Sequence, residues 1–285
     1  ALRLLILGGS GMLGHQLWRG LHEQHETWVT LRRPVADFDA HNLFDEAKAI
    51  QFDDITDDTA LGRALGQAKP KAVINCVGLI KQRDEASDES LTRRVNAEFP
   101  HHLAKRCAGI GARLIHFSTD CVFTGTKGNY TETDPPDATD LYGQSKHQGE
   151  VADAHCVTLR TSVIGHELGT NLAFLDWFLS QRFQAINGYT KAIYSGFTTL
   201  EMARIVDRIL TQHTDLSGVW HVASEPISKF GLLQLCREKL GWEGVIEPND
   251  EFVCDRSLNA DRFNQATGYT PPSWEAMISE LAQQS

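Results

Sequence analysis

The chain has no apolar run approaching bilayer-spanning length, which argues against a transmembrane helix. It also has no excess of positive charge. A formal net charge of −10 speaks against a general nucleic-acid or anionic-membrane surface, so an anionic ligand would need a local basic patch. The six cysteines (Cys76, Cys107, Cys121, Cys156, Cys236 and Cys254) form no C-x-x-C pair. They read as reduced core thiols of a cytoplasmic protein rather than as a disulfide framework. Twelve histidines give neither H-x-x-x-H nor a mixed Cys/His cluster, so no metal site is expected. Internal repeats, low-complexity tracts and a flexible linker are all missing. The opening stretch "ALRLLILGGSGMLG" has an apolar run of only a few residues, broken by glycines. It reads as a buried strand and not as a signal peptide.

What is present is an ordinary globular composition, 41% hydrophobic and 22% charged, in 285 residues. That is enough for a large core, long for one minimal domain and short for two independent ones. Over the first 160 or so residues, short apolar runs alternate with helical patterns: "LRLLILGG", "TWVTLRR", a weaker "IQFDDIT", "KAVINCVG", "ARLIHFSTD" and "CVTLRTSVIG". A long helix is expected over 89–111. Such alternation predicts an α/β chain with a Rossmann-type, doubly wound parallel sheet. Residues 1–165 form the expected dinucleotide-binding domain. Residues 166–285 form a smaller C-terminal α/β substrate lobe, intertwined with the first.

Gly8, Gly11 and Gly14 stand between the first strand and the first helix. A dinucleotide pyrophosphate needs a tight turn, close backbone approach and free N–H groups at a helix N-terminus. Gly8, Ser10, Gly11, Met12 and Leu13 are the residues of that turn. The second strand ends in "TLRRP", with Arg32 and Arg33 where NAD binders usually carry an acid. Arginine suits a 2′-phosphate, which favours NADP and leaves NAD open. Asp54 and Ile55, after the third strand, either bracket an adenine or form a strand-end turn.

In "DLYGQSKHQGE", Tyr142 and Lys146 are one helical turn apart. Alone they would read as a surface pair. Thr119, in the "STD" that ends a predicted strand, changes that reading, because open α/β sheets place sites at strand C-terminal ends. A hydroxyl, a tyrosine and a lysine suit carbonyl reduction, in which the oxygen needs a proton. A nearby ammonium is expected to lower the tyrosine pKa. Thr119 can donate to the developing oxyanion.

Together "GGSGMLG", "STDCVFTG", "YTETDPPDATDLYGQSKHQGE" and "LRTSVIG" resemble the extended short-chain dehydrogenase/reductases, in the dTDP-4-dehydrorhamnose reductase-like branch. The likeness extends to "GVWHVAS" and "RSLNADRFNQATGYTPPSW". It implies a nucleotide-sugar ketone reduced with NADPH or NADH. It implies Thr119, Tyr142 and Lys146 as the catalytic triad, with Asp120 as a substrate neighbour. Asn96, in "RRVNAEFP", would help hold the active-site end of the sheet. Residues 75–78, with Cys76, Val77 and Gly78, would form a backbone wall beside the cofactor. The chain departs from the branch in having Cys121 where a tyrosine is usual, and in "GLIKQRDEASDES" after the fourth strand. Both positions face the sugar in the family. Cys121 also invites a nucleophile reading, but a small buried thiol is the simpler one.

A nucleoside diphosphate must be met by placed cations. The candidates are Lys81, Arg83, Lys191 and Arg256, each of which would otherwise be a solvated surface charge. Trp177, Phe178, Tyr189 and Tyr194 read as core or as stacking residues for a base, and Glu201 as an ordinary helix-face charge. The expected partner is a nucleotide-sugar substrate, with no nucleic acid and no membrane; a homodimer is left open. Competing readings are an epimerase or dehydratase with tightly held NAD, and a non-catalytic NADP-binding regulatory subunit.

Overall fold

Strands that are apolar along their whole length need both sheet faces covered, and this chain supplies helices for both. The computed structural model describes residues 1–81 and 84–284. In its first half run β1 (Arg3–Leu7), α1 (Met12–Leu21), β2 (Glu26–Leu31), β3 (Ala49–Gln51), α2 (Asp58–Ala68), β4 (Ala72–Asn75), α3 (Glu89–Thr92), α4 (Phe99–Gly109), β5 (Arg113–Phe117), α5 (Leu141–Gln148) and β6 (Cys156–Arg160). Then come β7 (Val163–Ile164), α6 (Phe174–Ser180), β8 (Ala185–Tyr194), β9 (Phe197–Thr198), α7 (Thr199–Gln212), β10 (Gly218–His221), β11 (Ile227–Ser228), α8 (Lys229–Leu240), β12 (Val245–Asp255), α9 (Asp261–Thr267) and α10 (Trp274–Gln283).

Seven strands make one sheet in the order β10-β6-β5-β4-β1-β2-β3. Every adjacent pair is parallel, as the alternating pattern predicts. The order reverses between β1 and β4, which opens a crevice at the strand C-terminal ends. One core packs Leu4 and Ile6 of β1 against Leu17 and Leu21 of α1 and Ile205 and Ile209 of α7. The other packs Leu5 and Leu7 against Leu61 of α2 and Leu103 of α4. Thus α7 and β10, from the second half of the chain, complete the first layer. The second lobe has its own sheet, β11-β8-β12.

The long helix expected over 89–111 is α3 and α4 joined by a π-helical stretch at residues 93–98. Pro100 has no N–H to give to the carbonyl of Asn96, four residues earlier. The ladder widens there, and the Phe99 N–H reaches Arg94 instead. Glu201 is not the ordinary surface charge expected. It is buried at 8% exposure and accepts hydrogen bonds from the Tyr269 hydroxyl at 2.7 Å and from Arg204 at 2.8 Å. All six cysteines are free, four buried and Cys76 and Cys121 half-buried. Among the described residues no helix is long and apolar enough to cross a membrane.

Candidate active site

The strand β1 leaves the sheet through Gly8 at φ 82°, a conformation side chains rarely adopt. Two hydrogen bonds tie the turn to β2: Gly8 N–H donates to Thr30 Oγ1 at 3.1 Å, and Gly9 N–H to the Thr30 carbonyl at 2.8 Å. A Cβ on Gly14 would lie 2.0 Å from the Gly8 carbonyl oxygen, so glycine is required for α1 to start this close to the strand. Gly11 is the N-cap, and no side chain caps the helix. The first-turn N–H groups of Met12 and Leu13 are therefore open to an anion, with half-buried Ser10 beside them.

Arg32 and Arg33 follow β2 directly and are exposed. Arg33 reaches Asp37 at 3.6 Å and lies 5.0 Å from the centre of the Phe38 ring. Asp54 forms a local turn instead of standing free. The Thr56 hydroxyl and N–H both donate to it, at 2.7 and 2.9 Å, and hold its carboxyl below the usual range. Neighbouring Ile55 packs on the second core. The cradle and the paired arginines fit a dinucleotide with an extra phosphate on its adenosine ribose.

Thr119 caps a one-turn helix over Asp120–Val122, its Oγ1 accepting the Cys121 N–H at 3.1 Å. Its own proton goes to Asp120 Oδ1 at 3.5 Å, a long contact that a substrate oxygen could replace. The glycine after the tyrosine has a steric role. A Cβ on Gly143 would lie 2.3 Å from the Cys121 carbonyl oxygen, so Gly143 lets α5 seat Tyr142 against the Thr119 turn. Burial pushes the Tyr142 phenol above its ordinary range; Cys121, Asp120 and Asp140 add to this, and a hydrogen bond with Thr119 opposes it.

The expected depression of that phenol by Lys146 is not what the chain shows. Lys146 Nζ donates to the Phe117 carbonyl at 2.7 Å. Burial lowers this lysine to about 8, with Glu150 and Cys76 opposing. A Cβ on Gly78 would lie 3.6 Å from Lys146 Nζ, so the backbone after β4 forms a wall beside the ammonium. Asn96, aimed by the π turn, fixes that wall. Its Oδ1 accepts from Leu79 N–H at 2.9 Å, and its Nδ2 donates to the Leu79 carbonyl and to Ser145 Oγ, both at 3.2 Å. The Cys76 N–H is held by the Leu7 carbonyl at 3.0 Å, and the Val77 N–H by Asn75 Oδ1 at 3.1 Å.

Much of the remaining motif sequence is scaffolding. Glu150 accepts from Ser118 Oγ and from both Nε and Nη2 of Arg160, each at 2.8 Å, which pins the end of β5 to β6. Tyr130 stacks on Phe123 with centroids 4.1 Å apart, and its hydroxyl accepts the N–H groups of Gly125 and Lys127. Its backbone pairs with Ser257 and Asn259, so it joins the loop after β5 to the C-terminal segment.

On the open side, Asp120 is buried, and desolvation raises its carboxyl against the pull of Lys229, Cys121, Arg256 and Thr119. Cys121 is pushed up to about 12, mainly by burial, so it is a protonated thiol and not a nucleophile. Arg256 is half-buried and donates through Nε to the Phe123 carbonyl at 2.9 Å. Lys81 pairs with Asp140, the N-cap of α5, and lies 5.7 Å from the Tyr142 ring centre. Lys191 is differently placed. It projects from the face of β8 opposite to Ala192 and Tyr194, more than half exposed, with Asp250 at 3.9 Å. Arg83 lies outside the described residues. Phe178 and Tyr194 are buried, while Trp177 and Tyr189 are partly exposed. Lys229, at the start of α8, is a cation the sequence reading missed. Its signal was a lysine placed directly after an N-cap serine, where a helix favours acids. Among the described residues no cluster could hold a metal ion.

Residues 2–285 match the family model of the RmlD substrate binding domain. The chain is 34% identical over 151 residues to a dTDP-4-dehydrorhamnose reductase of Streptomyces griseus (53% of this chain, 44% of the relative). It is 31% identical over 154 residues to methionine adenosyltransferase 2 subunit beta of Mus musculus (53% and 42%). In both, the match spans less than half of the relative's length. A dTDP-4-dehydrorhamnose reductase of Aggregatibacter actinomycetemcomitans is 28% identical over 303 residues, 98% of each chain. Among solved structures, the Bacillus anthracis dTDP-4-dehydrorhamnose reductase in complex with NADP superposes over all of both chains at a TM-score of 0.80 and 22% identity, a likeness of fold. With the match running through the glycine turn, the Thr119 turn and the C-terminal segment alike, the chain belongs to the RmlD substrate-binding domain family.

Proposed function

We propose that the chain reduces the keto group of a nucleotide-activated 4-keto-6-deoxy sugar, dTDP-4-dehydrorhamnose or a related dTDP- or UDP-sugar, with NADPH. The observation that carries this reading is the meeting of the Thr119 hydroxyl and the Tyr142 phenol at the C-terminal end of β5, beside buried Lys146. The full-length likeness to a dTDP-4-dehydrorhamnose reductase supports it.

Gly8, Ser10, Gly11, Met12 and Leu13 would hold the cofactor pyrophosphate and Arg32 and Arg33 its 2′-phosphate. Asp54 and Ile55 would flank the adenine. Cys76, Val77 and Gly78, braced by Asn96, would wall the nicotinamide side. When bound, a reduced nicotinamide supplies hydride. Lys146 has three donors and gives one to Phe117, so it has others for a ribose. The phenol of Tyr142 stays protonated at neutral pH and holds the proton that the substrate oxygen takes up. Thr119 donates to the same oxygen as charge develops there. Asp120, Cys121, Lys81 and Arg256 line the substrate side, and Lys191 would reach only an outlying part of it.

A panel of dTDP- and UDP-4-keto sugars, assayed by loss of NADPH absorbance, tests this. Oxidation with at least one is expected, and none across the panel would overturn it. A second reading, a non-catalytic NADP-binding regulatory subunit, is favoured by the likeness to methionine adenosyltransferase 2 subunit beta. It predicts NADPH binding with no turnover.

A further inference from the structure

Lys229 is the first residue of α8. An ammonium there opposes the helix dipole and does nothing for the helix. The N-cap, Ser228, already accepts the Gly231 N–H at 2.9 Å. The side chain instead lies over two rings, 4.2 Å from the centre of Tyr194 and 4.8 Å from that of Phe174. Neither ring carries a counter-charge; the carboxylate that favours its ammonium is buried Asp120.

Backbone contacts carry this place to the Thr119 turn. Beside Tyr194, the Ile193 carbonyl accepts the Arg256 N–H at 3.4 Å. The Nε of the same arginine holds the carbonyl of Phe123, the residue that closes the turn over Asp120–Val122. With Nε engaged, Nη1 and Nη2 of Arg256 are left for a ligand. Lys229 and Arg256 therefore stand together where the second lobe meets the Asp120 side of the site. Three cations there, Lys81, Lys229 and Arg256, meet two carboxylates, buried Asp120 and the Lys81-paired Asp140, in a chain whose formal net charge is −10. A surplus of positive charge kept at an interlobe wall needs an anion to justify its desolvation.

We propose that Lys229 and Arg256 form the paired cationic contact for the diphosphate of the nucleotide-sugar substrate, with Lys229 in the part that sequence reasoning gave to Lys191. This rests on the reductase reading above. Arginine offers a directional fork and lysine a compact point charge, a combination that meets two adjacent phosphates without demanding one geometry.

The test is calorimetric titration of thymidine 5′-diphosphate and uridine 5′-diphosphate into the full chain loaded with NADP, with thymidine and uridine as phosphate-free controls. Lys229→Met keeps the apolar stem over Tyr194, and Lys229→Gln is the second variant should the first fail to fold. Loss of one desolvated charge contact should weaken diphosphate binding by roughly ten- to a hundredfold. Nucleoside and NADPH binding should not change, and Lys229→Arg should restore most of the loss. Parent-like diphosphate affinity in a folded Lys229 variant overturns this inference and leaves the reductase reading standing. A parent chain that binds NADPH but neither diphosphate overturns the nucleotide-sugar reading, and the inference with it.

Discussion

Replacing Lys146 with methionine separates what this residue costs the fold from what it does for the reaction. Lys146 is 6% exposed, and burial lowers its pKa from 10.5 to about 8. At about 1.4 kcal/mol per pH unit, that fall corresponds to about 3 kcal/mol of disfavoured charge at neutral pH. Lys146→Met removes this penalty but leaves the Phe117 carbonyl without its donor, a loss of about 1–3 kcal/mol. The net change at pH 7 thus lies between about zero and 2 kcal/mol in favour of the variant. The pH dependence is sharper. Between pH 8 and 10.5 the unfolded parent holds a proton that the folded parent has shed, so parent stability rises with pH across that window. The orphaned carbonyl does not titrate. Urea unfolding of both proteins, followed by tryptophan fluorescence from pH 7 to 10.5, should show the variant losing about 3 kcal/mol relative to the parent. A stability difference that does not move with pH would refute the reasoning, because Lys146 would then titrate as an ordinary surface lysine. The variant should also lose most of its turnover.

Two further outcomes follow from the site. Tyr142→Phe keeps the ring and removes the proton, so NADPH binding should persist while kcat falls by about two to four orders of magnitude in steady-state assays. The Arg32→Ala, Arg33→Ala double variant should bind NADPH and NADH alike in fluorescence titrations where the parent prefers NADPH; equal affinities in the parent would remove the basis for NADP.

The sheet was legible because its signals are local. Leu4 to Leu7 are apolar without a break, Gly8 must turn at positive φ, and helical spacing resumes at Leu13. The Thr119 and Tyr142 pairing was readable from motif order, and Gly143 supplies its steric reason. What escaped was tertiary. β12 is largely exposed and mixed in polarity, so it has no period-two pattern to detect. The helical spacing of Tyr142 and Lys146 placed both on one face, yet the ammonium is claimed by the Phe117 carbonyl, a competitor that sequence does not display. Glu201 looked like surface until Tyr269, 68 residues away, was found to cover it. Lys229 carried only a weak local sign, a cation at a helix start where acids are favoured.

The most direct test of the account is isotopic. NADPH carrying deuterium at its transferable position is incubated with the chain and a dTDP-4-keto-6-deoxy sugar, and the sugar nucleotide is then weighed by mass spectrometry. The account predicts one deuterium on carbon in the product, formed by the parent and lost in step with turnover in Tyr142→Phe. NADPH that binds but delivers no deuterium to any dTDP- or UDP-4-keto sugar would contradict it.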